Sequence, residues 1–424
     1  MAAQSDQFRP ATEAIHTRGN AFWRGRERFL IKGISYIPRS PGGGQHGVPI
    51  DPLNDERLHD LKQDVEILQG LGLNTIQVEA INPDYDHAKA MTLLARAGMY
   101  VLIKVCRELK APEISGRTAA DGVHFDTAPY YSADLLKRAI QIVDEFADYS
   151  NTLGFMMNGE VINSVSVSKM AEVSRAGVAD IKAFLHLRGG RQVPVGIAVA
   201  DRADMRTSML RYFTAGSKEE RVDFFSNNCF SWAMRSNFTV SGWKHMVELF
   251  EKYPVPMFLS EYGTSIGKHR YWEEVECLYS PYMTGVFSGG CMYTYFEEGN
   301  NYGLVIVGAD GKQEKKHEFK NLRKHFEVVN GRTREELMSP MVKDYEDWVG
   351  TFPPASDRWF ATLNLPKCQR DWKTMVQELV DVKEWGLVER MSDMGTSLDR
   401  QTQEQDAGSA KLSGKLNIDD DGSR

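Results

Sequence analysis

The sequence predicts a parallel (β/α)8 barrel of the TIM type with a short helical and disordered C-terminal extension. Three observations predict it. Eight short apolar runs punctuate the chain up to residue 295, amphipathic stretches lie between them, and the fourth and seventh runs each lead into a glutamate.

The strand candidates are residues 29–36, 74–79, 100–105, 153–157, 193–199, 222–227, 256–260 and 290–295. Helical spacing fills the gaps. Residues 55–70 place Leu58, Leu61, Val65 and Leu68 on one face, and 132–150 do the same with Leu135, Leu136, Ala139, Ile142, Val143 and Phe146, with Ser132 positioned to cap the start. Further helices are expected over 167–187, 202–213, 241–253, 272–287 and 314–329. A doubly wound sheet shares this alternation, but it more often carries a Gly-rich phosphate turn after its first strand. The barrel is expected over 15–335, a linker and amphipathic helix over 336–391, and a disordered acidic tail over 392–424. In the second segment, 371–391 carry an apolar stripe through Trp372, Met375, Val376, Leu379, Val382 and Trp385.

Glu160 closes the fourth run and Glu261 the seventh. A barrel enzyme places two carboxyls across one substrate bond in this way, because its active site forms at the carboxyl ends of the strands. Cleaving a glycosidic bond needs one carboxyl to protonate the leaving oxygen and another to attack or stabilise the sugar carbon. After the eighth run, Tyr293-Thr294-Tyr295-Phe296-Glu297-Glu298-Gly299-Asn300-Asn301-Tyr302 combines aromatics with amides. Pyranose faces stack on rings and sugar hydroxyls need amide partners, so this stretch fits a sugar platform and fits a core aromatic cluster equally. Asn228 and Trp232, after the sixth run, read the same way.

Other chemistries find little support. With 51 basic against 58 acidic residues the net charge is −7, so no basic excess exists to neutralise a nucleic acid backbone. Five scattered cysteines (Cys106, Cys229, Cys277, Cys291, Cys368) form no C-x-x-C pair and no disulfide framework, and they point to a reducing compartment. The ten histidines form neither H-E-x-x-H nor H-x-H, so no metal or other cofactor is expected. Residues 41–47 are Gly-rich but lack the Lys-Ser/Thr of a nucleotide loop, and read as a flexible loop at the barrel mouth. No G-x-S-x-G elbow occurs. No run is long enough to span a membrane, and neither an apolar leader nor a hydrophobic anchor tail is seen. The N-x-T sequon at Asn237 carries no weight in a cytosolic chain.

Several segments resemble the fungal 1,3-β-glucanosyltransferases of glycoside hydrolase family 72, cell-wall glucan-elongating enzymes held by a glycolipid anchor. They include Arg18-Gly19-Asn20-Ala21-Phe22, Leu71-Gly72-Leu73-Asn74, Tyr149-Ser150-Asn151-Thr152-Leu153-Gly154-Phe155, Glu160-Val161-Ile162-Asn163, Ser260-Glu261-Tyr262-Gly263 and Asn301-Tyr302-Gly303-Leu304-Val305. They run in order over roughly residues 15 to 330. The resemblance implies a (β/α)8 barrel and a retaining mechanism, with Glu160 as acid/base and Glu261 as nucleophile. It implies a glucan or related oligosaccharide as partner, contacted by Tyr36, Asn228, Tyr262 and Tyr293. The mechanism asks for a raised pKa at Glu160.

The departures are as specific. Where the family has Gly-Asn-Glu this chain has Asn158-Gly159-Glu160, so the usual asparagine beside the acid is replaced by glycine. The family's Asp-Tyr-Gln is Ser35-Tyr36-Ile37, its Arg-Val-Tyr is Gln77-Val78-Glu79, and its Leu-Asp-Val is Ile103-Lys104-Val105. Phe230 replaces a tyrosine, and Ala215 and Thr264 stand where two disulfide cysteines are expected. Missing disulfide cysteines and a missing leader together favour an intracellular relative, although the family works at the cell surface. The altered cleft leaves three readings: a retuned or weakened transglycosylase, a decayed barrel that binds a glycan or protein partner, or a barrel co-opted for non-sugar chemistry.

Overall fold

The computed structural model describes residues 13–39, 48–112, 125–267, 269–308, 311–339, 348–368 and 374. The loop at 41–47, most of the helix expected over 371–391 and the tail from 392 lie outside the described residues.

Eight parallel strands close into a barrel. They follow an N-terminal antiparallel sheet of β1 (Ile15–Arg18), β2 (Ala21–Arg24) and β3 (Glu27–Phe29). The barrel strands are β4 (Ile31–Ser35), β5 (Thr75–Val78), β6 (Tyr100–Lys104), β7 (Thr152–Gly159), β8 (Val195–Val199), β9 (Phe224–Cys229), β10 (Met257–Tyr262) and β11 (Phe287–Met292). β4 pairs with β11 to complete the ring. Each of the eight expected runs contributes one strand. The eighth starts three residues early, at Phe287, where glycines disguise the strand. Gly289 has φ +88°, and a Cβ there would lie 2.2 Å from the Ile31 carbonyl oxygen, so the two strands pack closely only with glycine.

Two cores result from strand alternation. Inside the barrel, Ile31, Leu102, Met156, Ala198, Phe224, Phe258 and Cys291 pack together, and Phe22 of β2 joins them. The Phe22 ring lies 5.7 Å from Phe224 and 6.0 Å from Phe258. The larger core fills the layer between strands and helices. The helices there include α1 (Leu58–Gly70), α2 (Ala88–Arg96), α3 (Ala133–Phe146) and α4 (Ala171–Arg188). The Ser132 hydroxyl accepts from the Leu135 N–H at 3.2 Å and caps α3, as the sequence indicates. The short α2 escapes a periodicity argument: it has nine residues and no side-chain cap.

Beyond these come α5 (Arg206–Thr214) and α6 (Trp243–Phe250). The helix expected over 272–287 is two short ones, α7 (Glu273–Leu278) and α8 (Pro281–Thr284), because Pro281 starts a new helix and Phe287 already belongs to β11. A small ribbon, β12 (Val305–Val307) and β13 (Gln313–Lys315), occupies the start of the last expected helix, so α9 runs His317–Gly331. A final strap carries the buried Trp359, whose ring lies 5.4 Å from Tyr212, and fixes itself through Phe360 N–H to Ser168 and Thr362 N–H to Glu172. Among the described residues, no helix is long and apolar enough to cross a membrane.

Candidate active site

The carboxyl ends of the strands gather charge. Along β6, Leu102 points into the barrel, so Lys104 two residues on does too. Along β7, Met156 points in, which directs Glu160 to the same side just past the strand end. β10 would break the pattern if it were regular. Phe258 faces the interior, so strict alternation would bring in Ser260 and Tyr262. A register shift between Leu259 and Glu261, against β9, reverses the sense and turns Glu261 inward.

The two glutamates meet on one atom. Lys104 Nζ lies 3.2 Å from Glu160 Oε1 and 3.2 Å from Glu261 Oε1. The two oxygens are therefore no further apart than twice that distance. Glu79 Oε2 lies 3.8 Å from the same ammonium, and Arg107 Nε lies 3.4 Å from Glu79 Oε1. Asn228 Nδ2 donates to Glu160 Oε1 at 2.9 Å, while Ser260 Oγ donates to Asn228 Oδ1 at 2.9 Å and fixes the amide's orientation. The Glu261 side chain is 11% exposed and that of Glu160 37%, so Glu261 is the deeper of the pair.

Protonation runs opposite to the expectation for an acid at 160. Burial pushes the Glu160 carboxyl up, but the Lys104 ammonium and hydrogen bonds from Asn228, Lys104 and Glu261 outweigh it and hold it below the ordinary glutamate value. Burial pushes Glu261 up to about 7, against the pull of Lys104 and with help from the neighbouring Glu160 charge. For Lys104, burial opposes the charge, yet Glu261, Glu160 and Glu79 hold its pKa well above the ordinary lysine value. The pair's proton affinities are thus unequal, with Glu261 the more basic carboxyl and Glu160 the more readily ionised.

The candidate sugar contacts divide. Asn228 and Tyr293 reach the cleft. Tyr293 lies edge-on to Tyr302 at 5.5 Å and to Phe230 at 6.2 Å, forming an aromatic wall beside Glu261. Tyr36 does not reach it: one residue past the inward-facing Ser35, it points outward and donates to Asp64 Oδ2 at 2.5 Å. Tyr262 is also outside, fully buried in the strand–helix core, for the reason the β10 register shift supplies. Both were plausible in sequence because they flank inward positions by one residue.

Gly159 is explained by its surroundings. A Cβ there would lie 2.7 Å from Ile197 Cγ1 and 2.8 Å from the Ala198 carbonyl oxygen, so a side chain would enter the β8 wall. Restoring asparagine at 159 would disrupt this backbone rather than rebuild a sugar contact. Asn158 is committed elsewhere: its Oδ1 accepts from the Glu160 N–H at 3.1 Å. The amide touching the acid is Asn228.

Lys104 and Glu79 stand out in the sequence as departures, but their contact does not, and Arg107 and Arg39 carry no signal there; Tyr302, part of the expected aromatic stretch, joins the wall beside Tyr293. Arg39 pairs with Glu298 at 2.8 Å across the cleft mouth. The signal for Lys104 was available, since it shares the inward face of β6 with Leu102. A cavity of about 480 Å³ opens beside Glu160, lined by Leu109, Asn158, Asn163, Ser164 and Ser166 among others. A larger hollow, about 810 Å³, lies outside the barrel between α1 and β13. No cluster of His, Cys, Asp or Glu among the described residues could hold a metal ion, and all five cysteines are free thiols.

A closed parallel barrel with two carboxyls and an aromatic wall at its strand ends has the architecture of the glycoside hydrolase barrels. A family model described as Glucanosyltransferase matches residues 4–330. The chain belongs to that family, glycoside hydrolase family 72. It is 37% identical over 334 residues to the 1,3-beta-glucanosyltransferase GAS5 of Saccharomyces cerevisiae, covering 78% of this chain and 65% of that protein. It is 38% identical over 314 residues to the 1,3-beta-glucanosyltransferase gel1 of Aspergillus fumigatus, covering 74% and 66%. The chain thus spans slightly less than two thirds of either relative. Among solved structures, Saccharomyces cerevisiae Gas2p in complex with laminaripentaose matches with a TM-score of 0.73 at 29% identity, covering 86% of this chain and 79% of that one.

Proposed function

We propose that this chain is a retaining transglycosylase acting on β-1,3-glucan, with Glu261 as nucleophile and Glu160 as acid/base. The observation that carries the reading is the convergence of both carboxyls on Lys104 Nζ. Two carboxyl oxygens within reach of one ammonium suit the ~5–5.5 Å spacing of a retaining pair better than the ~6.5–9.5 Å that leaves room for water in inverting enzymes. Kinship with curated glucanosyltransferases and with a structure binding laminaripentaose supports the substrate class.

The chemistry has two steps. The Glu261 carboxylate attacks the anomeric carbon, the glycosidic C–O bond breaks, and Glu160 gives its proton to the departing oxygen. Glu160, now a carboxylate, takes the proton from an incoming sugar hydroxyl, whose oxygen displaces Glu261 and restores both groups. Water in place of the sugar gives hydrolysis.

The test is incubation with reduced laminari-oligosaccharides. Longer and shorter products from the wild type, and none from Glu261→Gln, are expected. Binding without turnover, or equal turnover in Glu261→Gln, would overturn the reading.

A further inference from the structure

The strand end at Lys104 raises a question that the two-carboxyl scheme leaves open. An ammonium is buried between the acid and the nucleophile, where the family pattern places an aspartate. It reaches both glutamates through their Oε1 atoms at 3.2 Å. On Glu160 that same oxygen also accepts from Asn228, so Oε1 accepts from two donors. A proton on Glu160 must therefore reside on Oε2, the oxygen not engaged by Lys104 or Asn228.

We propose that Lys104 is a positioning residue: a counter-ion shared by both glutamates that anchors their inner oxygens and parks the one catalytic proton on Glu261, so that productive binding must pass that proton to Glu160. This rests on the retaining mechanism proposed above. The transfer balances within the site. Glu261 changes from acid to carboxylate, Glu160 from carboxylate to acid, and Lys104 stays an ammonium throughout. No net charge enters or leaves.

Physical reasons for the direction are at hand. A sugar seated in the cleft strips water from Glu160, the more exposed carboxyl, and desolvation favours its protonated form. Positive charge developing on the sugar ring favours an ionised Glu261. The resting arrangement and the reactive one thus exchange roles when the cleft fills. The electrostatics agree, with Glu160 held low and Glu261 pushed up to about 7.

Other charged or titratable groups face the same space. They are Glu79 at the end of β5, Arg107 after β6, Cys291 on β11, and Tyr293, Glu298 and Arg39 at the mouth. Arg107 and Arg39 are each paired with a glutamate outside the reacting pair, whereas among these described cations Lys104 alone contacts both of its members.

Infrared titration of side-chain carboxyls tests the proposal without needing turnover. In the wild type, a carboxyl titrating near neutral pH is expected; it should vanish in Glu261→Gln and, without the Glu160 charge that helps to raise it, remain but titrate lower in Glu160→Gln. In Lys104→Met both carboxyls should titrate roughly one to three pH units higher, since an opposite charge within a few ångströms is worth that much. Both limbs of the pH–rate profile should move the same way, and Lys104→Arg should restore them. A neutral-range carboxyl that survives in Glu261→Gln would overturn the proposal. So would limbs unmoved by Lys104→Met. The wild-type assignment stands even if Lys104→Met fails to fold. If the protein is inert on laminari-oligosaccharides yet titrates as described, the substrate reading falls and the role of Lys104 survives.

Discussion

Two buried polar clusters flank the barrel wall, and they differ in what they leave unused. Outside it, Asp64 accepts hydrogen bonds from Tyr36 at 2.5 Å, Tyr295 at 2.6 Å and Gln313 at 2.6 Å. One acid is satisfied by three neutral donors, and Asp64 is 1% exposed. Inside, one cation is shared by three acids, and the outermost of the reacting pair is 37% exposed. The sealed cluster joins α1 to the ends of β4 and β11. The open cluster retains a carboxyl pair with unequal proton affinity, which is what acid–base chemistry requires. Burial of charge alone does not mark an active site; burial with one face left to the cleft does.

The largest expected effect breaks the open cluster. Glu261→Gln should lower transfer by at least about 10⁴-fold, as loss of a covalent nucleophile does, with the fold unchanged by circular dichroism. Retained activity would remove the distinction between the two clusters. The sealed cluster should answer in the opposite currency. Asp64→Ala leaves two tyrosine hydroxyls and an amide without their acceptor, and should cost about 2–4 kcal/mol in urea denaturation. Transfer by the folded fraction should stay near wild type. A selective loss of activity at full stability would contradict the structural assignment.

A third cluster sharpens the comparison through pH. His87 is fully buried between Asp51 Oδ2 at 3.1 Å and Glu145 Oε1 at 3.2 Å. Burial disfavours its charge, but the two carboxylates prevail and raise it to about 9. A group raised on folding stabilises fully below its unfolded value, about 6.5, and the contribution is lost as pH rises through about 9. The urea midpoint should fall between pH 7 and 10 by an amount on the order of 2 kcal/mol in stability, and His87→Gln should flatten that slope. An unchanged slope would mean that the histidine is neutral when folded. The smallest effect belongs to the aromatic wall. Tyr293→Ala should raise KM for laminari-oligosaccharides by about 3- to 10-fold, the worth of one ring contact, with kcat changed less.

The barrel was legible because its strands are buried on both faces and read as unbroken apolar runs. The exceptions have local causes. Phe287 starts β11 amid glycines that carry no strand signal, and α2 is too short to show a period. In the site, Glu160, Asn228 and Tyr293 lie where alternation from their strands puts them. Glu261 and Tyr262 do not, because the β10 register shift adds a residue that no sequence pattern announces. Tyr36 was misplaced by a single position, enough to send it through the wall to Asp64. The unequal proton affinity of the two glutamates was invisible for a different reason. It depends on the distance from Lys104 to two residues far away in the chain, and only folding sets that distance.

The proposed reaction turns on Glu261, whose carboxylate oxygen bonds to the anomeric carbon. Incubation with an activated 2-deoxy-2-fluoro-laminaribiosyl fluoride, followed by intact-protein and peptide mass spectrometry, tests this directly. The account predicts one glycosyl adduct, mapped to Glu261 and absent from Glu261→Gln. An adduct on Glu160, or a wild-type protein that turns over laminari-oligosaccharides without ever becoming labelled, would contradict it.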